Sequence, residues 1–156
     1  MKSILIFGLL ALLSCNPHST IYMVRHAEKA DGSRDPDLNE AGKHRAARLA
    51  DLLKNKKIKK IYTTTYKRTI QTGTPLATMK NIKLITYNGD SLNTFAVELL
   101  KTNKNALVVG HSNTTISLLD ALGAEHKLKK IEDSDYGNLF KITMHGKKKI
   151  LEELRY

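Results

Sequence analysis

Residues 21–26 read Ile-Tyr-Met-Val-Arg-His, an apolar run that ends in two polar side chains. The apolar residues are β-prone and have the length of a short strand. Residues 106–111 repeat the arrangement as Ala-Leu-Val-Val-Gly-His, and such a continuous apolar run is typical of a strand buried on both faces. Each run therefore predicts a buried strand with a histidine just beyond its carboxyl end.

Helical patterns alternate with these and other β-prone stretches. Asn39 predicts a helix N-cap, and a small-to-apolar face then recurs at helical spacing through Gly42, Ala46, Leu49, Ala50 and Leu53. Further helices are predicted over 68–79, with possible interruptions at Gly73 and Pro75, over 92–100, and from Asn113 or Thr114 to Leu122. The remaining predicted strands cover 61–64, 82–85, 138–144 and 149–156, and a hairpin turn at His145-Gly146 joins the last two. This alternation predicts an α/β fold with helices on both faces of one sheet.

Polar side chains follow three of the predicted strands. They are Arg25-His26, the segment 63–68 with Arg68, and His111-Ser112-Asn113. Sites in open α/β sheets form at the carboxyl ends of strands, so these three segments are expected to meet there.

The residue types suit phosphoryl transfer, which depends on positioning and on stabilising negative charge. Arg25 and Arg68 can clamp phosphoryl oxygens because a guanidinium stays charged and donates paired hydrogen bonds. His26 is the candidate nucleophile, and His111 can donate to the phosphoryl oxygens. Backbone N–H groups at the helix start near Ser112 and Asn113 add anion affinity. No step requires a metal or another cofactor.

Four segments resemble motifs of the histidine phosphatase superfamily, the phosphoglycerate-mutase-like proteins. Residues 25–29 (Arg-His-Ala-Glu-Lys) resemble its signature, and residues 38–42 (Leu-Asn-Glu-Ala-Gly) resemble its Leu-Thr-x-x-Gly helix start. Residues 64–72 resemble its Ser-x-x-x-Arg-x-x-Gln-Thr segment, and residues 110–114 resemble its second-histidine motif. The motifs occur in the family's order, each at a strand-to-helix junction.

The resemblance implies a three-layer α/β/α sandwich with a mostly parallel central sheet. It implies a metal-independent phosphatase that forms a phosphohistidine on His26, with Arg25, Arg68 and His111 completing the phosphate pocket. The short chain is most similar to the compact branch that includes the phosphohistidine phosphatases. The expected substrate is a phosphomonoester or phosphoramidate, on a small molecule or a phosphoprotein.

The chain departs from the family pattern at two positions. Ala27 stands where the family often has glycine, and Ser112 stands where the acid phosphatase branch has an aspartate. The general acid is therefore open: Asp90 is the positional candidate, Glu28 is the alternative, and a good leaving group needs little acid. Asp90 could equally cap the helix that begins near Leu92.

The amino-terminal segment predicts export. Ile4 to Leu13 is an apolar run too short to span a bilayer, and residues 12–15 (Leu-Leu-Ser-Cys) resemble a bacterial lipobox. The expected organisation is a signal peptide over 1–14, a short tether over 15–19 that begins with lipid-bearing Cys15, and the phosphatase domain over 20–156. The alternative is a buried strand with a free thiol. Asn16 after the cysteine favours the outer membrane of the cell envelope.

Composition limits the other function classes. One cysteine among 156 residues excludes an intramolecular disulfide and a cysteine-based zinc cluster. The net charge of +11 predicts an anionic partner. Lysine clusters at 54–60 and 147–149 could bind nucleic acid, but they lack interleaved stacking aromatics and an exported protein would rarely meet it, which favours a solvated or lipid-facing surface.

Several alternatives stay open at the level of sequence. A metal site from His26, Glu28 and His111 is conceivable, although no spacing resembles a standard ligand set. A non-catalytic phosphate-binding lipoprotein and a phosphomutase are the other functions that this site could serve. We expect a monomer, and we expect no nucleic acid partner.

Overall fold

Six strands and four helices alternate along residues 18–156, the part of the chain that the computed structural model describes. In chain order they are β1 His18–Arg25, α1 Glu40–Leu53, β2 Lys60–Thr63, α2 Lys67–Lys80, β3 Leu84–Thr86, α3 Leu92–Thr102, β4 Ala106–Gly110, α4 Ser112–Ala121, β5 Asn138–His145 and β6 Lys148–Arg155. The predicted signal peptide and Cys15 lie outside the described residues.

One mixed sheet forms the centre of the fold. Its strand order is β3-β2-β4-β1-β5-β6, and the first four strands are parallel to one another. β5 runs antiparallel to β1, and β6 forms a hairpin with β5. The sequence prediction of a mostly parallel sheet is therefore confirmed: four of the six strands, including those that carry the site, are parallel, and the β5–β6 edge is antiparallel.

Helices cover both faces of this sheet, which gives the predicted three layers. On one face, the alternate β1 residues Tyr22 and Val24 pack in a buried cluster with α1 and α2 side chains such as Leu49 and Leu76. On the other face, Ile21 and Met23 pack with α3 and α4 residues. This division follows from the two-residue period of a strand, because successive side chains point to opposite faces.

The start of α1 shows how local sequence sets the entry to the site. Asn39 caps the helix, and its side-chain oxygen accepts a hydrogen bond of 2.8 Å from the Gly42 N–H. A side chain at Gly42 would collide with the Glu28 carbonyl, so the glycine allows α1 to pack directly against the loop after β1. The buried face of α1 consists of the five residues that its spacing predicts.

Several boundaries differ from the sequence predictions. α2 runs through Gly73 and Pro75 without a break, and α4 begins at Ser112 with His111 rather than Asn113 or Thr114 as its N-cap. His145 pairs with Lys148, so the hairpin turn lies one residue later than predicted. β1 begins at His18, so the last two residues of the predicted tether pair with β5.

Candidate active site

The carboxyl ends of β2, β4 and β1 lie side by side and bring the three polar segments together. In the sheet register Arg25 is opposite Gly110 and Thr63 is opposite Val109. The His26 N–H continues the ladder by donating to the Gly110 carbonyl at 2.9 Å. The residues that directly follow β1, β2 and β4, namely His26, Thr64 and His111, therefore lie in one common site.

An open cavity of about 660 Å³ lies at this edge of the sheet. The sequence proposed eight residues for catalysis or phosphate binding, and seven of them line this cavity. They are Arg25, His26, Arg68, Asp90, His111, Ser112 and Asn113. The exception is Glu28, which is not among the lining residues. The cavity wall also contains Thr64, Tyr66 and the segment 86–89.

His26 is held in one tautomer. Its Nδ1 lies 2.8 Å from the Ala27 carbonyl oxygen. A carbonyl only accepts hydrogen bonds, so Nδ1 carries the hydrogen and Nε2 keeps its lone pair. The residue is only 3 % exposed, and this burial, together with the charges of Arg25 and Arg68, lowers the pKa of His26 to about 3 despite the bond to Ala27. His26 is thus a neutral imidazole with a free ring nitrogen.

His111 is held by a chain of hydroxyl groups. Its Nε2 lies 3.1 Å from the Thr64 hydroxyl, which lies 2.9 Å from the Thr69 hydroxyl. Thr69 uses its single proton on the Tyr66 carbonyl at 2.8 Å. Thr64 must therefore donate to Thr69 and accept from His111, which places a hydrogen on Nε2 of His111.

This arrangement makes His111 a neutral donor. Burial and the nearby charges of Arg68 and Arg25 lower its pKa to about 4. Its ring meets that of His26 edge to face, with centroids 5.4 Å apart. Tyr66 packs against the same ring at 5.2 Å. The donor is therefore fixed beside the candidate nucleophile.

The loop before β5 holds Arg25 in place. One terminal nitrogen, Nη1, donates to the carbonyl oxygens of Glu132 at 2.8 Å and of Asp133 at 3.0 Å. The guanidinium carbon lies 4.5 Å from the centre of the Tyr136 ring. The side chain is buried although it lines the cavity, and its Nε is buried without a hydrogen-bond partner among residues 18–156. A buried donor of this kind suits an anion.

Arg68 approaches from the first turn of α2. Its guanidinium stacks over Tyr66 with 4.2 Å between the guanidinium carbon and the ring centre. Nη1 donates to the Arg34 carbonyl at 3.2 Å, and Nε is buried without a partner in the described part of the chain. The two arginines thus line a site whose two histidines are neutral, and each has a buried Nε–H without a partner in the described part of the chain.

The two candidate acids lie in different surroundings. Asp90 is exposed at the cavity rim, and its N–H donates to Asn88. Ser91, and not Asp90, is the N-cap residue of α3, so the capping role considered for Asp90 is wrong. This leaves its carboxylate available to the cavity.

Glu28 faces α1 and is engaged there. Arg45 donates to both carboxylate oxygens at 2.7–2.9 Å. Burial opposes the charged form, but these bonds prevail and hold the pKa of Glu28 below its ordinary value. A carboxylate held ionised by Arg45, away from the cavity, is a poor proton donor, which favours Asp90 over Glu28 as the candidate acid.

The start of α4 also lines the cavity. Ser112 and Asn113 are the first residues of α4 and line the cavity, so their N–H groups lie where a helix attracts anions.

Within residues 18–156, no group of three or more His, Cys, Asp or Glu side chains lies close enough together to hold a metal ion. No helix in that range is long and apolar enough to cross a membrane.

Sequence reasoning missed the residues that hold the site in shape. Thr64 and Tyr136 contact the histidines and Arg25, and Thr72 accepts a hydrogen bond of 2.9 Å from the Ala27 N–H. Gln71 accepts from the Leu38 N–H at 2.8 Å. The matched motif contained Thr64, Gln71 and Thr72, which was a usable signal, whereas nothing in the sequence marked Tyr136.

Comparison with known families addresses the first half of this site. Residues 21–89 match the model of the histidine phosphatase superfamily (branch 1). The match includes Arg25, His26 and Arg68 and ends one residue before Asp90. The chain is also 38% identical over 72 residues to phosphoserine phosphatase 1 of Hydrogenobacter thermophilus, a match that covers 42% of this chain and 34% of that protein. The match thus spans about a third of the curated relative's length.

Solved structures of several phosphatases share the fold over most of the chain. A candidate phosphohistidine phosphatase, SixA of Agrobacterium tumefaciens, matches with a TM-score of 0.69 and 22% identity, over 88% of this chain and 99% of that one. The alpha-ribazole phosphatase of Shigella flexneri matches with a TM-score of 0.72 and 14% identity, over 88% and 96%. These similarities establish a phosphoglycerate-mutase-like fold, and the superfamily match contains the first three of the four motifs but not residues 110–114.

Proposed function

We propose that this chain is a histidine phosphatase that transfers a phosphoryl group first to His26 and then to water. The observation that carries the proposal is the state of His26. Its Nδ1 is fixed by the Ala27 carbonyl, its Nε2 is unprotonated, and it shares one cavity with Arg25, Arg68 and His111. A neutral imidazole beside two anion-seeking guanidinium groups suits attack on phosphorus.

The first half-reaction forms the phosphoenzyme. Nε2 of His26 attacks phosphorus with its lone pair, and the bond from phosphorus to the leaving oxygen or nitrogen breaks. Arg25 and Arg68 balance the charge on the phosphoryl oxygens, while the Nε2–H of His111, kept in place by the Thr64 hydroxyl, is shared with one of them. Asp90 is the proposed source of the proton for the leaving group.

The second half-reaction regenerates the enzyme. Water attacks phosphorus, the Nε2–P bond breaks, and its electron pair returns to the imidazole. The products are inorganic phosphate and neutral His26, and the carboxylate of Asp90 can accept the proton from water. The same contacts serve both steps, since the phosphoryl oxygens occupy the same pocket.

The substrate class proposed here is a phosphomonoester or a phosphoramidate. The cavity is open; residues 88–90 line it on one side, and the loop before β5 lies beside it, with Tyr136 against His26. Such a rim can admit a small phosphorylated molecule or a phosphorylated side chain on a protein. A phosphohistidine substrate has a good leaving group and would need little help from the exposed Asp90.

A non-catalytic phosphate-binding protein is the second candidate. It is favoured by the exposure of Asp90 and by the ion pair that removes Glu28 from the cavity. Such a protein would bind phosphate or vanadate without turnover. A mutase is less well supported, because it must retain the phosphoryl group and the cavity is open.

Hydrolysis of a generic aryl phosphate by wild type and by His26→Ala tests the proposal, with the exposed histidine variant His44→Ala as the matched control. We expect wild type and His44→Ala to be active and His26→Ala to be inactive. Activity of His26→Ala at the wild-type rate would contradict the mechanism. Phosphate binding without hydrolysis across sugar phosphates, phosphohistidine, inositol phosphates and nucleotides would favour the binding protein.

We also infer that Cys15 is lipidated and that the protein lies in the bacterial cell envelope. The support is the sequence Leu-Leu-Ser-Cys at the end of an apolar run. Cys15→Ser should prevent processing and acylation, because the attachment thiol is lost. Metabolic labelling with an alkyne fatty acid should label wild type only, and an unlabelled wild-type protein would exclude this anchor.

A further inference from the structure

Four lysine-rich segments converge at the end of the sheet opposite the active site. We call this end of the molecule the basic end. Its segments are 54–60, 80–83, 101–104 and 147–149, and together they contain twelve lysines and no aspartate or glutamate. The lysines are Lys54, Lys56, Lys57, Lys59, Lys60, Lys80, Lys83, Lys101, Lys104, Lys147, Lys148 and Lys149.

The topology accounts for this convergence. Segments 54–60, 80–83 and 101–104 follow the carboxyl ends of α1, α2 and α3 and lead into the parallel strands β2, β3 and β4. Helices between parallel strands return to the strand starts, so all three segments lie at the amino edge of the sheet. The β5–β6 hairpin reaches the same edge, because His145 pairs with His18 at the start of β1.

Most of these charges are not neutralised by neighbours. Lys54 forms an ion pair of 2.7 Å with Asp51, and Lys80 donates to the carbonyl oxygens of Lys54 and Lys56. None of the other ten lysines takes part in an ion pair of 4 Å or less within residues 18–156. By contrast, Lys43, Lys67 and Lys130, nearer the active-site end, each pair with a carboxylate.

Large apolar side chains stand exposed beside the lysines. Leu52, Met79 and Leu100 lie in the last turns of α1, α2 and α3 and are 47%, 53% and 39% exposed. Lysines interspersed with exposed apolar side chains are typical of surfaces that settle into a lipid headgroup region. Nucleic-acid surfaces instead interleave aromatic side chains, and the four segments contain none.

The seventeen residues outside the described part of the chain join the domain at this same end. β1 begins at His18, which pairs with His145 next to the hairpin turn, and Cys15 is three residues earlier in the sequence. Whatever holds the amino-terminal segment at a membrane therefore brings the basic end to that membrane first.

We propose that the basic end docks on a bilayer containing anionic lipids and points the active site away from it. The lysines contact headgroup phosphates while the exposed leucine and methionine side chains enter the interface. β1 has eight residues, so the site at its carboxyl end is held about 26 Å from the docked edge. The proposal goes beyond phosphatase activity and does not depend on acylation, since charge and apolar contact act on their own.

Vesicle partitioning of the full chain tests the proposal. The probe vesicles are phosphatidylcholine alone and phosphatidylcholine with phosphatidylglycerol, so that the ratio of the two partition coefficients removes any contribution from the apolar amino terminus. The variant is the triple charge reversal Lys57→Glu, Lys104→Glu and Lys147→Glu, one exposed lysine from each of three segments. The matched control is Lys43→Glu, Lys67→Glu and Lys130→Glu, which has the same net charge.

We expect wild type and the control to prefer the anionic vesicles and the variant to lose at least about a hundredfold of that preference, since each lysine near an anionic surface contributes about 1 kcal/mol. Raising the salt concentration should remove the preference. Equal binding to both vesicle types, or equal losses in variant and control, would overturn the proposal. Loss of binding to a short DNA duplex with unchanged vesicle binding would assign the surface to nucleic acid instead.

Discussion

His26 and His111 contact each other edge to face where both line the active-site cavity, with ring centroids 5.4 Å apart. Each ring has one nitrogen tied to the protein, Nδ1 of His26 to Ala27 and Nε2 of His111 to Thr64. The two imidazoles therefore have opposite roles in the proposed reaction: His26 offers a lone pair and His111 offers a hydrogen.

The lowered pKa values of the two histidines predict that activity is lost only at a pH far below the pKa of an ordinary imidazole. Burial is the main reason that the pKa values are about 3 for His26 and about 4 for His111. Protonation of His26 removes its lone pair, so kcat/KM should stay constant down to about pH 5 and fall only below it. Rates on an aryl phosphate, corrected for ionisation of the substrate, measure this, and an acid limb near pH 6.5 would contradict it.

The same pKa values predict how stability responds to acid. Below pH 6.5 the unfolded chain protonates both histidines, while the folded protein keeps them neutral until their lowered pKa values are reached. The free energy of unfolding should therefore fall as pH drops from 6.5 toward 4. Urea unfolding at pH 7 and pH 4.5 should show a smaller decrease for His26→Ala than for wild type, whereas the exposed His44→Ala should respond as wild type does.

Thr64 should act as a positioning residue for His111. Thr64→Val keeps the shape but removes the acceptor of the Nε2–H, so we expect kcat to fall roughly tenfold to a hundredfold, the range of a displaced donor, with little change in KM. Thr64→Ser should restore activity because it restores the hydroxyl. A loss in Thr64→Ser equal to that in Thr64→Val would show that the methyl group, and not the hydrogen bond, matters.

Arg25 should not be replaceable by lysine. Its guanidinium donates to two carbonyls of the loop before β5, stacks on Tyr136 and still has a free Nε–H. A lysine ammonium cannot make these contacts together, so Arg25→Lys should lower kcat/KM by about 10²-fold or more. Steady-state rates should be unchanged in Arg48→Lys, which alters an exposed arginine on α1. A fully active Arg25→Lys protein would remove this residue from the phosphate clamp.

The roles of Asp90 and Glu28 can be distinguished by how the rate loss of each variant depends on the leaving group of the substrate. If Asp90 is the acid, Asp90→Asn should lose about 10²-fold on an alkyl phosphate but little on a nitrophenyl phosphate, whose leaving group needs no proton. Glu28→Gln should show no such dependence, and its cost should appear in thermal stability, because Arg45 loses a charged partner. Equal losses of Asp90→Asn on all substrates would exclude the acid role.

Much of the site could be predicted because its residues follow strands. The apolar run that ends in Arg25-His26 and the run that ends in Gly110-His111 predict neighbouring buried strands, and parallel strands end at the same edge. The cap at Asn39 was equally readable, since an asparagine just before a helical pattern favours a helix start by accepting a hydrogen bond from a backbone N–H of the first turn.

The contacts across long sequence separations could not be predicted in this way. Arg25 is held by Glu132 and Asp133, more than a hundred residues away, in a loop without periodicity. The partner of Glu28 was equally hidden, because Arg45 looks like an ordinary exposed residue of an amphipathic helix until α1 packs beside the β1 loop. Both contacts depend on tertiary packing, which local patterns do not encode.

Trapping the phosphoenzyme tests the central claim most directly. Wild-type protein mixed with an aryl phosphate is quenched in alkali, which preserves phosphohistidine, and its peptides are mapped by mass spectrometry. We predict a phosphoryl group on His26 that forms within the first turnover, disappears as substrate is exhausted, and is absent from His26→Ala. A phosphoryl group on another residue, or hydrolysis without any covalent intermediate, would contradict the mechanism.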